Sequence, residues 1–535
     1  MTALPTADCH PITVAPGLSR LFLDFCTGAP AARPFYGPAA DSSGWQTRPT
    51  LPTHWPEIVE ILASQNPNSS AIDALRAGAG TVVTGQQVGL FGGPLFTPFK
   101  AAAALARARQ ATAAGRPHVA IFWLAGEDHD FAEIDHVTFP ARRELRTLKY
   151  DHAPAAPIPV GGVLLDESVE PLLEQAGELL GYSDALEALN NAYRPGRTFA
   201  QGFADFYSRA FAAQNLLVLD PGSRAAHRLG APVLRSALER ADELHTALAA
   251  RDRALVEAGY HAQVAVAGQS SLLFLIDTRS GTRMSLKRTP PSAAEPNGLW
   301  QAGRDRYSTA DLTGILDSEP ERISPAALLR PVFQDFLLGT SLTIGGPAEI
   351  AYFAQSQVIY QAILGRMTPV EPRFSATLIE PETAELLARH ELTLERVFSE
   401  SEDSLAQLLA ARAIPIEGKR KLASAGNALD AELTELVGWM ETVDEGLGRS
   451  SRTAASKMRY QMNRLRRMAA NFQMQKEASL RRHAQAISLA LFPGGQLQER
   501  VHGAAWYFAR HGFELAETLV EHASASCPSH TALWL

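Results

Sequence analysis

The sequence predicts an α/β fold, a parallel-sheet core interrupted by insertions and followed by an α-helical coiled-coil domain. Three observations carry this expectation. The short apolar runs TVVT (81–84) and VAIFWLA (119–125) are each followed by a glycine-rich or polar loop and a helical pattern, as strand–helix–strand units require. The second run is apolar on both faces, as a central parallel strand should be. Leu429, Leu433, Leu436, Met440, Val443 and Leu447 alternate steps of four and three, the spacing of a heptad seam.

Taken in order, residues 1–70 are rich in proline and small polar residues, with helical patches such as SRLFLDFC. The first strand is 81–84, and a helix over 94–113 follows, with Gly93 before it and Pro94 at its first position, where a missing N–H costs nothing. The second strand is 119–125. LLVL (216–219), LLFLI (272–276) and LTI (342–344) are further strands, and 349–364 is a helix. Two stretches, 140–200 and 281–325, read as insertions into this core, the second containing the loop PPSAAEPNG. The core thus spans 1–380, and 381–535 is helical, with the coiled coil near 425–480. Its register continues through Ala454, Met458, Leu465, Met468 and Phe472, and GLGR (446–449) suggests a break between two helices. Lys457, Arg459, Arg464, Arg466 and Arg467 form a basic face that reads as solvated helix surface.

A chain of 535 residues exceeds one ordinary core. With 46% hydrophobic and 20% charged residues it has the composition of a globular protein. A formal net charge of −8 is the reverse of a nucleic-acid binder's, so no nucleic-acid partner is expected. No apolar run approaches the roughly 18 residues of a membrane span, and no signal peptide opens the chain. Cys9, Cys26 and Cys527 lie far apart and form no CxxC, which suits a reducing, cytoplasmic location and offers no evident catalytic thiol.

Chemistry concentrates in two segments. GQQVGLFGG (85–93) places Gly89, Gly92 and Gly93 where backbone can approach a ligand, ahead of a helix whose N–H groups favour an anion. Gln86 and Gln87 add uncharged hydrogen-bonding groups. No GK[ST] or GxGxxG follows, so neither nucleotide fingerprint applies, and tight strand–helix packing is the competing reading. GEDHDF (126–131) gathers Glu127, Asp128, His129 and Asp130 at the carboxyl end of an apolar strand, and Glu133 could join them. Acids clustered with an imidazole are costly unless they bind a cation or exchange protons. HExxH spacing is absent, so Mg2+ at Glu127 and Asp130, or no metal, is expected rather than zinc. If the two strands are neighbours, both loops emerge at one sheet edge, where such folds bind ligands.

IGGPAEIAYFAQ (344–355) repeats the Gly-Gly-Pro device, with Gly346, Glu349 and Tyr352 as candidates, although helix capping alone would explain Glu349. ALLRPVFQDFLLGTS (327–341) contributes Arg330, Gln334 and Asp335, and Arg373 is a further lone arginine. RMSLK (283–287), in an expected hairpin, is read as chance similarity to a synthetase lysine loop.

TGQQVGLFGGPLFTPFKA, FWLAGEDHDFAEI, LLRPVFQDFLL, IGGPAEIAYFAQ and LFPGGQLQER, in this order over residues 81–510, resemble the cysteine-adding ligase family of bacillithiol biosynthesis. The resemblance implies a Rossmann-like core related to class I synthetases, connecting-peptide insertions and a coiled coil that makes a homodimer. It implies joining the carboxyl of cysteine to the amine of glucosaminyl-malate. Carboxylate and ammonium do not condense usefully in water, so ATP or a related nucleotide is expected to activate the carboxyl, as an adenylate or acyl phosphate. On that reading Gly92 and Gly93 hold phosphate or a malyl carboxylate, and Gln86 and Gln87 orient substrate. Asp128 and His129 accept the amine proton, Glu127 and Asp130 hold ammonium or Mg2+, and Lys100 and Arg330 neutralise negative charge. The competing expectations are another nucleotide-dependent ligase or transferase, a metal-dependent hydrolase using the EDHD cluster, a nucleotide sensor, and a scaffold.

Overall fold

A computed structural model describes residues 6–37, 45, 51–266, 268, 270–289, 298–476, 478–524 and 529–535. The loop expected at 290–297 and Cys527 lie outside the described residues. The chain divides into two compact units, one of residues 1–141, 145–377 and 498–533, the other of 142–144, 378–497 and 534–535.

The first unit is built on a five-stranded parallel sheet. Its strands are β1 (Gly80–Gln86), β2 (His118–Leu124), β3 (Leu217–Leu219), β4 (Leu342–Gly345) and β5 (Val370–Pro372), in the order β5-β4-β1-β2-β3. The chain therefore runs outward from β1 to β3 and then returns to the other side of β1. Between β1 and β4 lies a topological switch point, the crevice at which open α/β sheets take ligands. Every residue of β2 is buried, as its two apolar faces require. β5 was not legible beforehand, because three residues ending in proline carry no periodic signal.

The crossover helix α1 (Phe96–Ala113) is buried along most of its length. It begins two residues after Pro94, and Pro98 takes the first-turn position instead, where no N–H is needed. Helices α2 (Arg224–Glu239), α3 (Arg330–Leu338) and α4 (Pro347–Leu364) complete the layers that concern the site. The run 272–276 is a strand, but not of the parallel core. It belongs to Ser270–Ile276 of a five-stranded antiparallel sheet with Arg283–Thr289, Leu299–Ala302, Asp305–Tyr307 and Ile323–Pro325. A short apolar run does not tell a parallel core strand from a covered antiparallel one. Cys9 is disulfide-bonded, against the expectation of a reduced thiol there, whereas Cys26 is free and burial pushes its thiol up to about 12.

In the second unit the heptad region is a helical hairpin of α5 (Ile416–Val443) and α6 (Glu445–Lys476). The break falls at Asp444, in extended backbone, whose Oδ1 accepts the Leu447 N–H at 2.9 Å. Arg459 pairs with Asp430 at 2.8 Å and Arg452 with Glu441 at 2.6 Å, which fixes the helices as antiparallel. The buried seam uses Gly426, Leu433, Gly448, Ala455, Met462 and Ala470, mostly small residues. The larger residues of the expected stripe stay outside it: Leu436, Val443, Leu447, Met458, Leu465, Met468 and Phe472 are 40–66% exposed, and Trp439 beside them 59%. Among the described residues no helix is long and apolar enough to cross a membrane.

Candidate functional site at the sheet edge

Each parallel strand delivers polar groups to its carboxyl end. Gln86 ends β1 and Gln87 follows it, Glu127 to His129 follow β2, His227 lies on the helix after β3, Glu349 follows β4, and Arg373 follows β5. The antiparallel sheet adds Arg283, and α3 adds Arg330 at its first position.

Lys100 is buried at the switch point. Its ammonium donates to Gly85 O at 2.7 Å and Gln86 Oε1 at 2.9 Å, and pairs with Glu349 Oε2. An ammonium has three N–H donors, and all three are used. Lys100 is therefore a clamp between β1 and α4, with no donor left for the negative charge it was expected to neutralise. Burial lowers its pKa against the raising effect of Glu349. Glu349 also accepts the Gly346 N–H at 2.7 Å, so the capping reading is correct but incomplete. Arg330 differs: among the described residues its single side-chain hydrogen bond is to Tyr352 Oη at 3.5 Å. Burial opposes its charge, but Tyr352, Glu349 and Asp128 raise its pKa overall. Burial pushes the Tyr352 hydroxyl up to about 12, so it stays neutral.

Around Asp128 the loop is tied from three sides. Asp128 Oδ1 accepts the His129 N–H at 2.7 Å, and the Gln87 amide donates to Asp128 Oδ2 at 3.4 Å and to Glu133 Oε2 at 2.7 Å. Burial alone would raise the Asp128 pKa, but the His129 amide, Arg283 and Arg330 lower it overall. Glu127 Oε1 lies 2.8 Å from Nε2 of His227, a fully buried side chain whose Nδ1 is 3.0 Å from Ile323 O.

For this pair burial disfavours both charges, yet mutual attraction lowers the Glu127 pKa and raises that of His227. The lowered Glu127 contributes stability above its unfolded value that is lost as pH falls. The raised His227 contributes stability below its unfolded value that is lost as pH rises. His227→Gln is therefore expected to cost about 3 kcal/mol near neutrality. Urea unfolding at pH 5.5, 7 and 9 should show that difference shrinking toward pH 9.

The glycine loop is packed rather than open. Phe91, Gly92 and Gly93 all have left-handed φ (48°, 84° and 67°), and a Cβ on Gly92 would sit 2.7 Å from Phe206. The Gly92 N–H donates to Tyr193 Oη at 3.0 Å, the Gly93 N–H to Leu90 O at 3.0 Å, and the Leu95 N–H to His502 O at 2.7 Å. Tyr193 Oη donates to Gly89 O at 3.0 Å, and Tyr207 Oη to Gly92 O at 2.7 Å. These donors are spent on protein acceptors, so tight strand–helix packing describes Gly89, Gly92 and Gly93 better than a phosphate cradle.

Other expected residues also part company. Asp335 is buried against Arg366 at 3.3 Å, not at the cluster, while Gln334 is buried one turn after Arg330. Glu127 faces His227, whereas Asp130 is exposed before the short helix Phe131–Glu133. Among the described residues no three His, Cys, Asp or Glu side chains converge as a group that could hold a metal. Sequence reading missed His227, set Arg283 aside with RMSLK as a chance similarity, and left Arg373 unpartnered. Arg373 forms a buried two-pronged pair with Glu499 (3.0 and 2.5 Å), from the segment LFPGGQLQER. The available signal was topological: a helix following the next parallel strand starts at the same edge.

Fold and edge together define a Rossmann-like α/β enzyme scaffold with acid and guanidinium groups at its switch point. Residues 7–374 match the family model described as bacillithiol biosynthesis BshC, N-terminal Rossmann-like domain, and 376–535 the BshC C-terminal coiled-coil domain. The chain belongs to the BshC family. Proteins named "Putative cysteine ligase BshC" are 39% identical in Koribacter versatilis (98% of this chain, 99% of the relative) and 34% identical in Solibacter usitatus (97% and 98%). A third, from Salinibacter ruber, is 31% identical over 93% of each chain.

Proposed function

We propose that this chain is a carbon–nitrogen ligase that joins the carboxyl of cysteine to the amine of glucosaminyl-malate, giving bacillithiol. The family and the names of its members support the ligase class. The observation that carries the site assignment is Arg330, a cation with unspent donors, beside the ionised Asp128 at the switch point. Arg330 binds an anionic group of the substrate, a malyl carboxylate or the activated carboxyl. Asp128 holds the ammonium by one N–H while another of its protons leaves to water and frees the amine lone pair; the amine then adds to the activated carboxyl, the leaving group departs with its bonding electrons, and the second proton on nitrogen passes through Asp128 to water. A nucleotide would supply the activation of the carboxyl; the glycine loop is not assigned to it, because its amides are already paired.

The test is a thiol profile of cells whose single copy of this gene is deleted, then complemented. Loss of bacillithiol with accumulated glucosaminyl-malate, restored by the wild-type gene, is the expected result. Unchanged bacillithiol in the deletion would overturn the ligase reading.

The outer stripe of the hairpin supports a homodimer in which a second copy covers Leu465, Met468 and Phe472. Leu465→Glu with Met468→Glu is expected to convert a dimer to a monomer by light scattering, with the circular dichroism of the fold retained. A wild-type mass of one chain would remove the dimer from this reading.

A further inference from the structure

Arg283 and His129 form a contact that the roles above do not use. Arg283 lies on the antiparallel sheet, the residue is 6% exposed, and its guanidinium is spent in three directions. Nε donates to Ser324 Oγ at 3.1 Å, Nη2 donates to Pro325 O at 3.1 Å, and Nη1 lies 3.1 Å from Nδ1 of His129. Its carbon also stacks 3.6 Å from the centroid of the Phe274 ring, which itself lies 5.5 Å from the His129 ring.

A guanidinium has donors and no acceptor. The imidazole nitrogen it meets must therefore present a lone pair, which leaves the proton of a neutral ring on the other nitrogen. The rival partner for Nδ1 is Asp128 Oδ1, which would select Nδ1–H, but it stands 3.6 Å away, beyond a hydrogen bond, and already accepts the His129 amide at 2.7 Å. Asp128 Oδ1 is 4.0 Å from Arg283 Nη1, and Glu127 and Arg330 are the other charges acting on that guanidinium. Among the described residues Nε2 of His129 makes no hydrogen bond to a protein group, and the side chain is 36% exposed.

We infer that Arg283 is a positioning residue that fixes His129 as its Nε2–H tautomer, so that His129 meets the substrate as a hydrogen-bond donor and not as a proton acceptor. The donor role rests on the ligase reading; the tautomer does not. The acceptor it fits is an oxygen of the acyl substrate, where negative charge develops as the amine attacks. This separates two residues that the sequence grouped as bases: Asp128 keeps the proton-accepting role and His129 loses it.

Nitrogen-15 imidazole spectra of the full-length wild-type protein near pH 7 decide the tautomer, with the His129 signals assigned by their loss in His129→Gln. A protonated Nε2 and a bare Nδ1 are expected, and a protonated Nδ1 or an even mixture overturns the proposal. Glutamine places an N–H donor near the Nε2 position and cannot act as a base. His129→Gln is therefore expected to keep activity within about tenfold of wild type, while His129→Ala loses about 10²–10³-fold. Equal losses in the two variants overturn the donor role. Absence of cysteine ligation by the wild-type enzyme would sink the ligase reading, while the spectra would still decide the tautomer.

Discussion

Arg373→Met is expected to lower the stability of the first unit by about 3–5 kcal/mol, because it strands the Glu499 carboxylate in the interior. Both side chains of that pair are nearly inaccessible, at 4% and 2% exposure. Glu499 also accepts from Ser375 Oγ and the Ala376 N–H, so its charge is the hub of a buried network. Ser375 in turn meets Nδ1 of His530 at 2.9 Å, and Thr377 meets Nε2 at 2.8 Å. Burial pulls the His530 pKa down to about 4, whereas burial alone would raise that of Glu499, which Arg373 then lowers overall. Both groups are depressed, so both contribute stability above their unfolded values that is lost as pH falls. His530 begins to lose its share below pH 6.5 and has lost it by about 4, and Glu499 follows below 4.5. Urea titrations of wild type at pH 7.5, 5.5 and 4.5 should record this decline. A variant as stable as wild type at pH 7.5 would mean that solvent reaches the pair.

Arg330→Met should act on turnover instead. Losing one charge-assisted contact of about 1.5–3 kcal/mol lowers kcat/KM by about 10- to 150-fold. Arg330→Lys should recover part of that loss, since a point charge replaces a fork. Lys100→Met is the contrasting case. Its three donors hold Gly85, Gln86 and Glu349, so its removal should first appear as a lower melting temperature. If Arg330→Met turns over like wild type while Lys100→Met folds normally but is inactive, the two roles are reversed.

The parallel core and the helical C-terminal region were legible because they rest on periodicity. β2 is apolar on both faces, and the 3–4 spacing of 429–447 is long enough to stand out. What escaped was whatever depends on partners far along the chain. Nothing near Arg283 marks it as a neighbour of His129, 154 residues earlier, and nothing near Arg373 announces Glu499, 126 residues later. The glycine loop misled for a related reason. Gly89, Gly92 and Gly93 looked like an approach for a ligand, but the approaching groups are Tyr193 and Tyr207, more than 100 residues along the chain. The hairpin shows the same limit from the other side: heptad spacing identified helices that associate, but not that Gly426, Gly448 and Ala455 would form the inner seam and leave Leu465 and Phe472 outside.

The first unit is closed by residues that leave the ribosome after all five strands of its parallel sheet. His502 O accepts from Leu95, Ala504 N–H donates to Gly93 O at 3.0 Å, and Glu517 grips Arg109 on α1. Until residues 498–533 emerge, the nascent sheet lacks the carboxylate for Arg373 and the lacing of its glycine loop. Domains tend to fold amino-terminus first during synthesis. Here that order is interrupted, and a chain released early, short of Glu499, would carry an assembled strand pattern with an unmatched interior charge and a marked susceptibility to proteolysis.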